Sequence, residues 1–327
     1  MTRRGWTITI GVGALVLAVV LVSALLVGLS RQDERARTPA DAVRTYLTAL
    51  SGADASAALA VVAPRPDARF LTDGVLRQQR AEAPISDIEV DDPGESARTV
   101  RARYRLGSRE VDTSIRVTRA GDGWAVVDGA VKVRIESLLV PGPTLFGAQV
   151  KAGDTVHLFP GPQRWGSRDI DFVGRPTDDP PTGPHAPMTV MVVAELSPTG
   201  VSAVSDAVTA QLTRCAASTR ADAGTDMPGC TQRLFRSAAA GSVRWTAPRD
   251  LSGLRYLLRR PDASNDATPS EKDLGTVDVA GAVEWRVAYT PDYDRDGPRV
   301  ETTDIQYLVG EVDLTADTPS FTAEPVS

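Results

Sequence analysis

The sequence contains few of the residues that most often carry enzyme chemistry. It has two histidines, His157 and His185, and two cysteines among 327 residues. Neither histidine can be paired with a nucleophilic serine or cysteine from the sequence. The chain also has no Gly-x-Ser-x-Gly motif and no glycine-rich phosphate loop. The sequence therefore predicts a protein without catalytic residues and without a cofactor.

Basic residues are scarce relative to acidic ones. The chain has 36 Lys and Arg against 42 Asp and Glu, a net charge of −6, and lysine occurs only at Lys132, Lys151 and Lys272. Because a nucleic-acid-binding face needs a surplus of positive charge, nucleic acid is not an expected partner. This arginine-rich, lysine-poor composition is typical of a high-G+C genome, such as that of an actinobacterium.

The apolar run at residues 6–29 contains no charged side chain. As a helix it would extend about 36 Å at about 1.5 Å per residue, more than the roughly 30 Å of hydrocarbon in a bilayer. A cleaved signal peptide has a shorter apolar core, of about 7–15 residues. We therefore predict an N-terminal transmembrane helix that remains as an anchor at residues 1–30. It contacts the lipid bilayer through residues 6–29, and a linker follows at residues 31–37.

The charges beside this segment do not decide its orientation. Arg3 and Arg4 precede it, and three arginines follow it at positions 31, 35 and 37. The cysteine pair fits an oxidising compartment, and the N-terminal flank is too short to be a domain. We therefore predict a cytoplasmic N-terminus, with the rest of the chain outside the cytoplasm.

Residues 38–135 are expected to form the first folded domain. Thr38 suits a helix N-cap and Pro39 the first helical position, and apolar residues at helical spacing continue to Gly52, where the helix should end. Two shorter helices and then a meander of strands are expected at residues 55–62, 67–80, 88–90, 98–106, 111–117 and 124–128. Helices followed by antiparallel strands make an α+β domain.

Three segments of this domain form a pattern: TPADAVRTYLTALSGADASAALAVV from residue 38, the turn at 121–123, and WAVVDG from residue 124. Together they resemble an NTF2-like (DUF4878-type) domain of a membrane-anchored actinobacterial protein. The resemblance implies a cone-shaped α+β fold, in which a curved sheet wraps around a long helix and can enclose a pocket. Enzymes of that superfamily carry acid and base residues inside the cone. Residues 38–135 contain no His or Cys, so the resemblance implies a scaffold or binding role.

Residues 136–327 are expected to form a second, β-rich α+β domain. A strand at 188–196 and a helix at 198–217 are followed by strands at 242–246, 254–259, 282–290 and 304–314. We expect a polar, mobile loop at 261–273 and a frayed tail after Asp317. The FPG segment, the helix and the RCAAST…PGC segment resemble uncharacterised secreted actinobacterial proteins, and this resemblance implies an exported location only.

Cys215 and Cys230 are expected to form the disulfide of this second domain. In an exported protein two cysteines this close most often pair structurally. A redox pair usually has Cys-x-x-Cys spacing, and zinc would need both histidines without any usual finger spacing.

The sequence from Asp292 to Gly297 begins like a calcium loop. Asp292, Asp294 and Asp296 occupy the first, third and fifth positions, and glycine occupies the sixth. The twelfth position is Thr303 instead of Glu, and no helix is expected on either side. We therefore favour a polar hairpin turn and keep a weak extracellular calcium site as the alternative.

Six arginines between residues 77 and 105 make the first domain locally basic. Arginines at alternate strand positions usually form a solvated face, and binding to anionic lipid or wall polymer is the alternative.

For the whole chain we predict a non-enzymatic scaffold or binding protein of the cell envelope, whose partner is an unknown envelope protein or wall component. The alternative is a small-ligand carrier or an enzyme that uses the NTF2-like cone as its pocket.

Overall fold

A computed structural model of the chain describes residues 36–184, 187–260 and 269–324. These residues form two compact units of α+β structure. The first unit contains the described residues up to 133 and two later segments, Thr155–Pro162 and Pro180–Met188; the second contains Arg134–Asp154, Gln163–Asp179 and the described residues from 189 onwards. The sequence-based division at residue 135 does not include the two later segments in the first unit.

Three helices open the first unit: α1 (Pro39–Gly52), α2 (Ala55–Ala60) and α3 (Asp73–Glu82). The first helix begins as expected, because the Thr38 hydroxyl accepts a hydrogen bond from the Asp41 amide at 3.1 Å. It ends at Ala53, which adopts the left-handed conformation (φ 57°) that terminates many helices. The third helix begins at Asp73, six residues later than expected, because the Thr72 side chain caps it.

An antiparallel meander follows, in the order β1 (Ile85–Val90), β2 (Thr99–Leu106), β3 (Arg109–Ala120) and β4 (Gly123–Val126). The alternation along β2 is confirmed: Val100, Ala102, Tyr104 and Leu106 are buried and the residues between them are exposed. This apolar face packs with α1 in one core cluster. The predicted order of helices and then antiparallel strands is thus confirmed.

Short strands occupy the middle of the chain: β5 (Val131–Leu139), β6 (Pro143–Leu145), β7 (Ala148–Gln149), β8 (Thr155–Leu158), β9 (Trp165–Ser167), β10 (Phe172–Pro176) and β11 (Met188–Leu196). In the second unit the strand order is β7-β6-β9-β10-β11. A long helix, α4 (Pro198–Cys215), follows β11, capped by the Ser197 hydroxyl.

The last part of the second unit is one antiparallel sheet with a long hairpin. Its strands are β12 (Arg244–Thr246), β13 (Leu254–Leu258), β14 (Thr276–Tyr289), β15 (Val300–Asp313) and β16 (Phe321–Ala323). The order is β12-β14-β15-β16, and β13 pairs with β14 beside β12. We call it the C-terminal sheet. Its hairpin pairs without a register shift from Thr276 opposite Asp313 to Tyr289 opposite Val300.

Three expectations for this region were wrong. The strand expected from residue 282 begins at Thr276, and Gly281 (φ 151°) interrupts the side-chain alternation that would have marked it. A short helix, α5 (Glu271–Gly275), takes up the last three residues of the expected polar loop, because Ser270 and Asp273 form a capping box. Residues 261–268 of that loop lie outside the described residues. The expected frayed tail contains β16, whose Phe321 is buried.

No helix of the described residues is long and apolar enough to cross a bilayer. The expected anchor at residues 1–30 lies outside the described residues, as do most of the linker at 31–37 and His185.

Candidate binding surface on the C-terminal sheet

Cys215 and Cys230 form a disulfide, which confirms the pairing expected from the sequence. Cys215 is the last residue of α4, and Cys230 follows a short 3-10 turn at Ala223–Thr225. Both cysteines are buried, with their Cα atoms 5.5 Å apart and a separation of 15 positions along the chain. Closing a loop of this length stabilises a fold by about 3 kcal/mol.

Side-chain amides fix the disulfide loop to its surroundings. The buried Gln232 donates from Nε2 to the Cys215 carbonyl at 2.7 Å. Gln306 on β15 accepts from the Arg233 amide at 3.0 Å and donates to the Arg233 carbonyl at 2.7 Å. The loop is therefore held against both α4 and β15, and the segment that follows it carries Phe235.

Asp292, Asp294 and Asp296 lie in the turn of the long hairpin, where sequence reasoning placed them. Asp292 Oδ1 accepts hydrogen bonds from the Arg295 guanidinium at 2.5 and 2.9 Å. The Gly297 amide donates to the Asp294 carbonyl at 3.2 Å, and a side chain at position 297 would collide with the Asp294 carboxylate. Across the described residues, no group of three or more His, Cys, Asp or Glu side chains is arranged to hold a metal ion.

The central arginines of the first unit's sheet are paired with acids. Arg101 donates to both oxygens of Asp112, at 2.8 and 2.5 Å, and Arg103 lies 3.1 Å from Glu89 and 3.5 Å from Asp91. All of these side chains are substantially exposed. This arrangement is the solvated outer face weighed in the sequence analysis.

Large side chains fill the space between α1 and the first unit's sheet. Tyr46 and Leu47 of α1, Ile115 of β3 and Phe159 are almost completely inaccessible to solvent. Such packing is that of a hydrophobic core.

The polar atoms in this core are mostly satisfied within it. The hydroxyl of Tyr46 donates to the Gly129 carbonyl, and that of Tyr104 donates to the Thr182 carbonyl at 2.5 Å. Burial raises the pKa of both phenols well above the ordinary value, so neither ionises near neutral pH.

His157 lies in β8 as expected, and its Nδ1 atom is buried with no hydrogen-bond partner among the described residues.

The C-terminal sheet has two different faces. Its inner face packs against α4 and the disulfide loop, with Trp245 and Trp285 in edge-to-face contact at 5.7 Å. The outer face is formed by the alternate residues of the two long strands; opposite one another lie Ala282 and Tyr307, Glu284 and Ile305, Arg286 and Thr303, and Ala288 and Glu301. All of these are exposed except Ala288, which is half-buried.

Three large apolar side chains stand in solvent at one side of this sheet. Ile305 is 70 % exposed, Tyr307 is 58 % exposed and Phe235 is 82 % exposed. They line a groove of about 580 Å³ whose other wall is formed by the disulfide loop, which ends at Cys230, and by Arg233 beyond it. We call Phe235, Ile305 and Tyr307 the apolar cluster. Adjacent exposed apolar side chains are typical of a protein interaction site.

Charged side chains without partners surround the apolar cluster. Within the part of the chain that the structure describes, Glu284, Arg286 and Glu301 have no ion-pair partner. Glu284 and Arg286 also line a second groove, of about 530 Å³, that includes Ile305 and the β12–β13 connection at 247–253. An apolar centre rimmed by unsatisfied charges has the composition of a binding surface.

Residues 300–307 of β15 also form a free edge of the sheet. On the side away from β14, β16 covers only residues 310–312, and Glu324 donates to the Val309 carbonyl. No other backbone hydrogen bond among the described residues reaches that side of residues 300–307. Unpaired N–H and C=O groups of an edge strand are where an extended peptide can add to a sheet.

Sequence reasoning identified the strand that carries this surface but missed the surface itself. The signal was the alternation Glu301, Thr303, Ile305, Tyr307, in which apolar residues share a face with a charged one. The neighbouring alternation ends in Leu308 and Val312 and is equally compatible with burial. Only the tertiary structure shows that α4 covers the second face.

Comparison of the chain with family models, with curated proteins and with solved structures finds no match.

Proposed function

We propose that this chain is a non-enzymatic binding protein of the cell envelope, anchored in the membrane by residues 6–29. Its first unit is an NTF2-like scaffold close to the membrane, and its second unit binds a protein partner on the outer face and free edge of the C-terminal sheet.

Two observations support an anchored and exported chain. Residues 6–29 are uncharged and long enough to span a bilayer. The Cys215–Cys230 disulfide is of the structural kind that persists outside reducing compartments.

The observation that carries the binding role is the apolar cluster beside an unpaired strand edge. Water contact with Phe235, Ile305 and Tyr307 is unfavourable, and burying such side chains contributes about 1.5–3 kcal/mol each in favourable cases. The unpaired backbone of residues 300–307 adds directional hydrogen bonding. Ile305 and Tyr307 lie on the strand that carries this unpaired backbone, and Phe235 lines the same groove, so one extended segment of a partner would engage both features.

The alternative, a ligand carrier or enzyme built on the first unit's cone, is less well supported. A carrier needs an open cavity with convergent polar groups. The core of the first unit holds the buried side chains of Tyr46, Leu47, Ile115 and Phe159. Both phenols in that core already donate to backbone carbonyls.

The binding role is tested by comparing partners captured by the full-length protein and by an Ile305→Ser/Tyr307→Ser variant after cross-linking in native membranes. The matched control is Ile170→Ser, since Ile170 is also in the second unit and is 74 % exposed. We expect a partner recovered with the wild type and the control, and recovered at least about tenfold less with the double variant. Equal recovery with all three proteins would refute the proposed surface.

Location is tested separately. We expect the chain to resist alkaline extraction from membranes and to be cut by protease added outside the intact cytoplasmic membrane. Reactive thiols at Cys215 and Cys230 in the native protein would contradict export.

A further inference from the structure

Two arginines of the first unit are stacked on a buried tryptophan. Trp124 of β4 is only 4 % exposed, and the guanidinium carbons of Arg119 and Arg98 lie 4.7 and 5.9 Å from the centre of its ring. Arg119 is directly opposite Trp124 in the β3–β4 hairpin, and the Arg98 carbonyl accepts from the Val117 amide at 2.9 Å. The backbone therefore fixes both arginines to the same end of the sheet.

These two arginines differ from their neighbours in charge compensation. Arg101 and Arg103 are paired with acids. Among the described residues neither Arg98 nor Arg119 has a carboxylate partner. Stacking on an indole orients a guanidinium without neutralising it, so both keep their donors for an anion.

The cluster lies where the described chain begins. The Trp124 amide donates to the Ala36 carbonyl at 2.9 Å. Only six residues, 30–35, separate Ala36 from Leu29, the end of the apolar run. At no more than about 3.6 Å per residue, seven steps reach about 25 Å, whatever the conformation of that stretch.

We propose that Arg98 and Arg119 bind the phosphate groups of anionic lipids in the same bilayer that holds the anchor, with Trp124 as their platform. This inference rests on the proposed membrane anchorage. A guanidinium presents paired donors that match a phosphate, and an anionic leaflet attracts basic groups close to its surface. The lipid-facing end of the first unit is thus the end that carries residue 36, and the opposite ends of its strands face away from the membrane.

The test uses the full-length protein in nanodiscs of phosphatidylcholine alone or with about one third phosphatidylglycerol. Amide hydrogen exchange is measured in the β3–β4 turn at residues 119–124. Each arginine near an anionic surface favours the docked state about fivefold, so two favour it roughly 25-fold. We expect exchange in this turn to slow by about five- to 25-fold in the anionic discs, and the effect to disappear at high salt.

The Arg98→Ser/Arg119→Ser variant should lose this protection, whereas Arg101→Ser/Arg103→Ser should keep it. Identical exchange in both kinds of disc would overturn the proposal. Protection by inorganic phosphate in phosphatidylcholine discs would also overturn it, since the site would then bind free phosphate instead of lipid. Failure of the chain to enter discs at all would refute the anchorage on which the inference rests, and that outcome is distinguishable from the others.

Discussion

The first unit's sheet and the C-terminal sheet differ in the chemistry of their outer faces. On the first unit's sheet, Glu89, Arg103 and Asp112 stand opposite one another on three neighbouring strands, so each charge has an opposite charge beside it. On the C-terminal sheet, Glu284 faces Ile305 and Arg286 faces Thr303. Cross-strand pairs of opposite charge stabilise a face that stays in water, whereas a charge opposite an aliphatic side chain forms no such pair and leaves that side chain in contact with water.

The free edges of these two sheets also differ, in how readily another strand could add to them. The edge strand β1 has a register shift between Ser86 and Glu89, and Asp87 adopts a positive φ of 53°. Bulges and charges of this kind prevent another strand from adding. The edge at residues 300–307 has no such irregularity in its pairing with β14. The edge of the first unit's sheet is therefore protected against strand addition, whereas the edge at residues 300–307 has the regular backbone that the proposed binding role requires.

The largest expected effect on stability comes from a substitution on the inner face of the C-terminal sheet, and a substitution on the outer face should have almost none. Trp285→Ala empties a buried site and is expected to lower the free energy of unfolding of the second unit by about 3–5 kcal/mol. Ile305→Ala, one position away across the hairpin, should change it by less than about 0.5 kcal/mol, because Ile305 is exposed. Hydrogen exchange of the β14–β15 amides in the full-length protein measures both.

A large loss of stability in Ile305→Ala would show that Ile305 is part of the core and that the two faces of the sheet do not differ in burial. Loss of the captured partner with unchanged stability would show that the outer face serves binding alone.

Removal of the disulfide should lower the stability of the second unit and leave that of the first unit unchanged. Replacing Cys215 and Cys230 together by Ser is expected to cost about 3 kcal/mol, and exchange should accelerate most in residues 218–233. The β1–β4 amides serve as the internal control, because the first unit has no cysteine. Faster exchange there would show that the two units do not respond separately.

The smallest effect concerns the paired charges of the first unit's sheet. The hydrogen bond from Arg101, together with the positive charges of Arg101 and Arg103, holds the pKa of Asp112 below its ordinary value. The resulting stabilisation is present above the pKa of Asp112 in the unfolded chain and is lost as the pH falls through the lower folded value, in the acid range. In Arg101→Ser the pKa of Asp112 should rise, as measured by NMR titration of its carboxyl carbon. An unchanged midpoint would mean that this pair is not formed in solution.

Local signals predicted most of the elements. The cap at Thr38 predicts a helix start and the alternation along β2 predicts a half-buried strand, and both predictions were confirmed. The start of α3 was misplaced because Asp67 and Thr72 are both acceptable caps, and only packing of the following residues selects Thr72.

The binding surface was harder to predict for a different reason. Along β15 both alternating sets contain apolar residues: Ile305 and Tyr307 in one, Leu308 and Val312 in the other. Which set is buried depends on where α4 lies, and the side-chain period of a strand is the same for both. The disulfide, in contrast, could be predicted because the chain spacing and the expected export limit the alternatives.

The segments that complete the core of the first unit come late in the sequence, after part of the second unit. Phe159 belongs to its core, Gln79 donates to the Phe159 and Pro162 carbonyls at 3.1 Å, and the Gly161 amide donates to the Pro181 carbonyl. Its last segment ends at Met188, which is 55 residues after Val133 (188 minus 133). At about 5–20 residues per second, synthesis needs roughly 3–10 s to cover that interval. During that time the core of the first unit lacks Phe159, and a fragment that ends at residue 133 would lack it permanently.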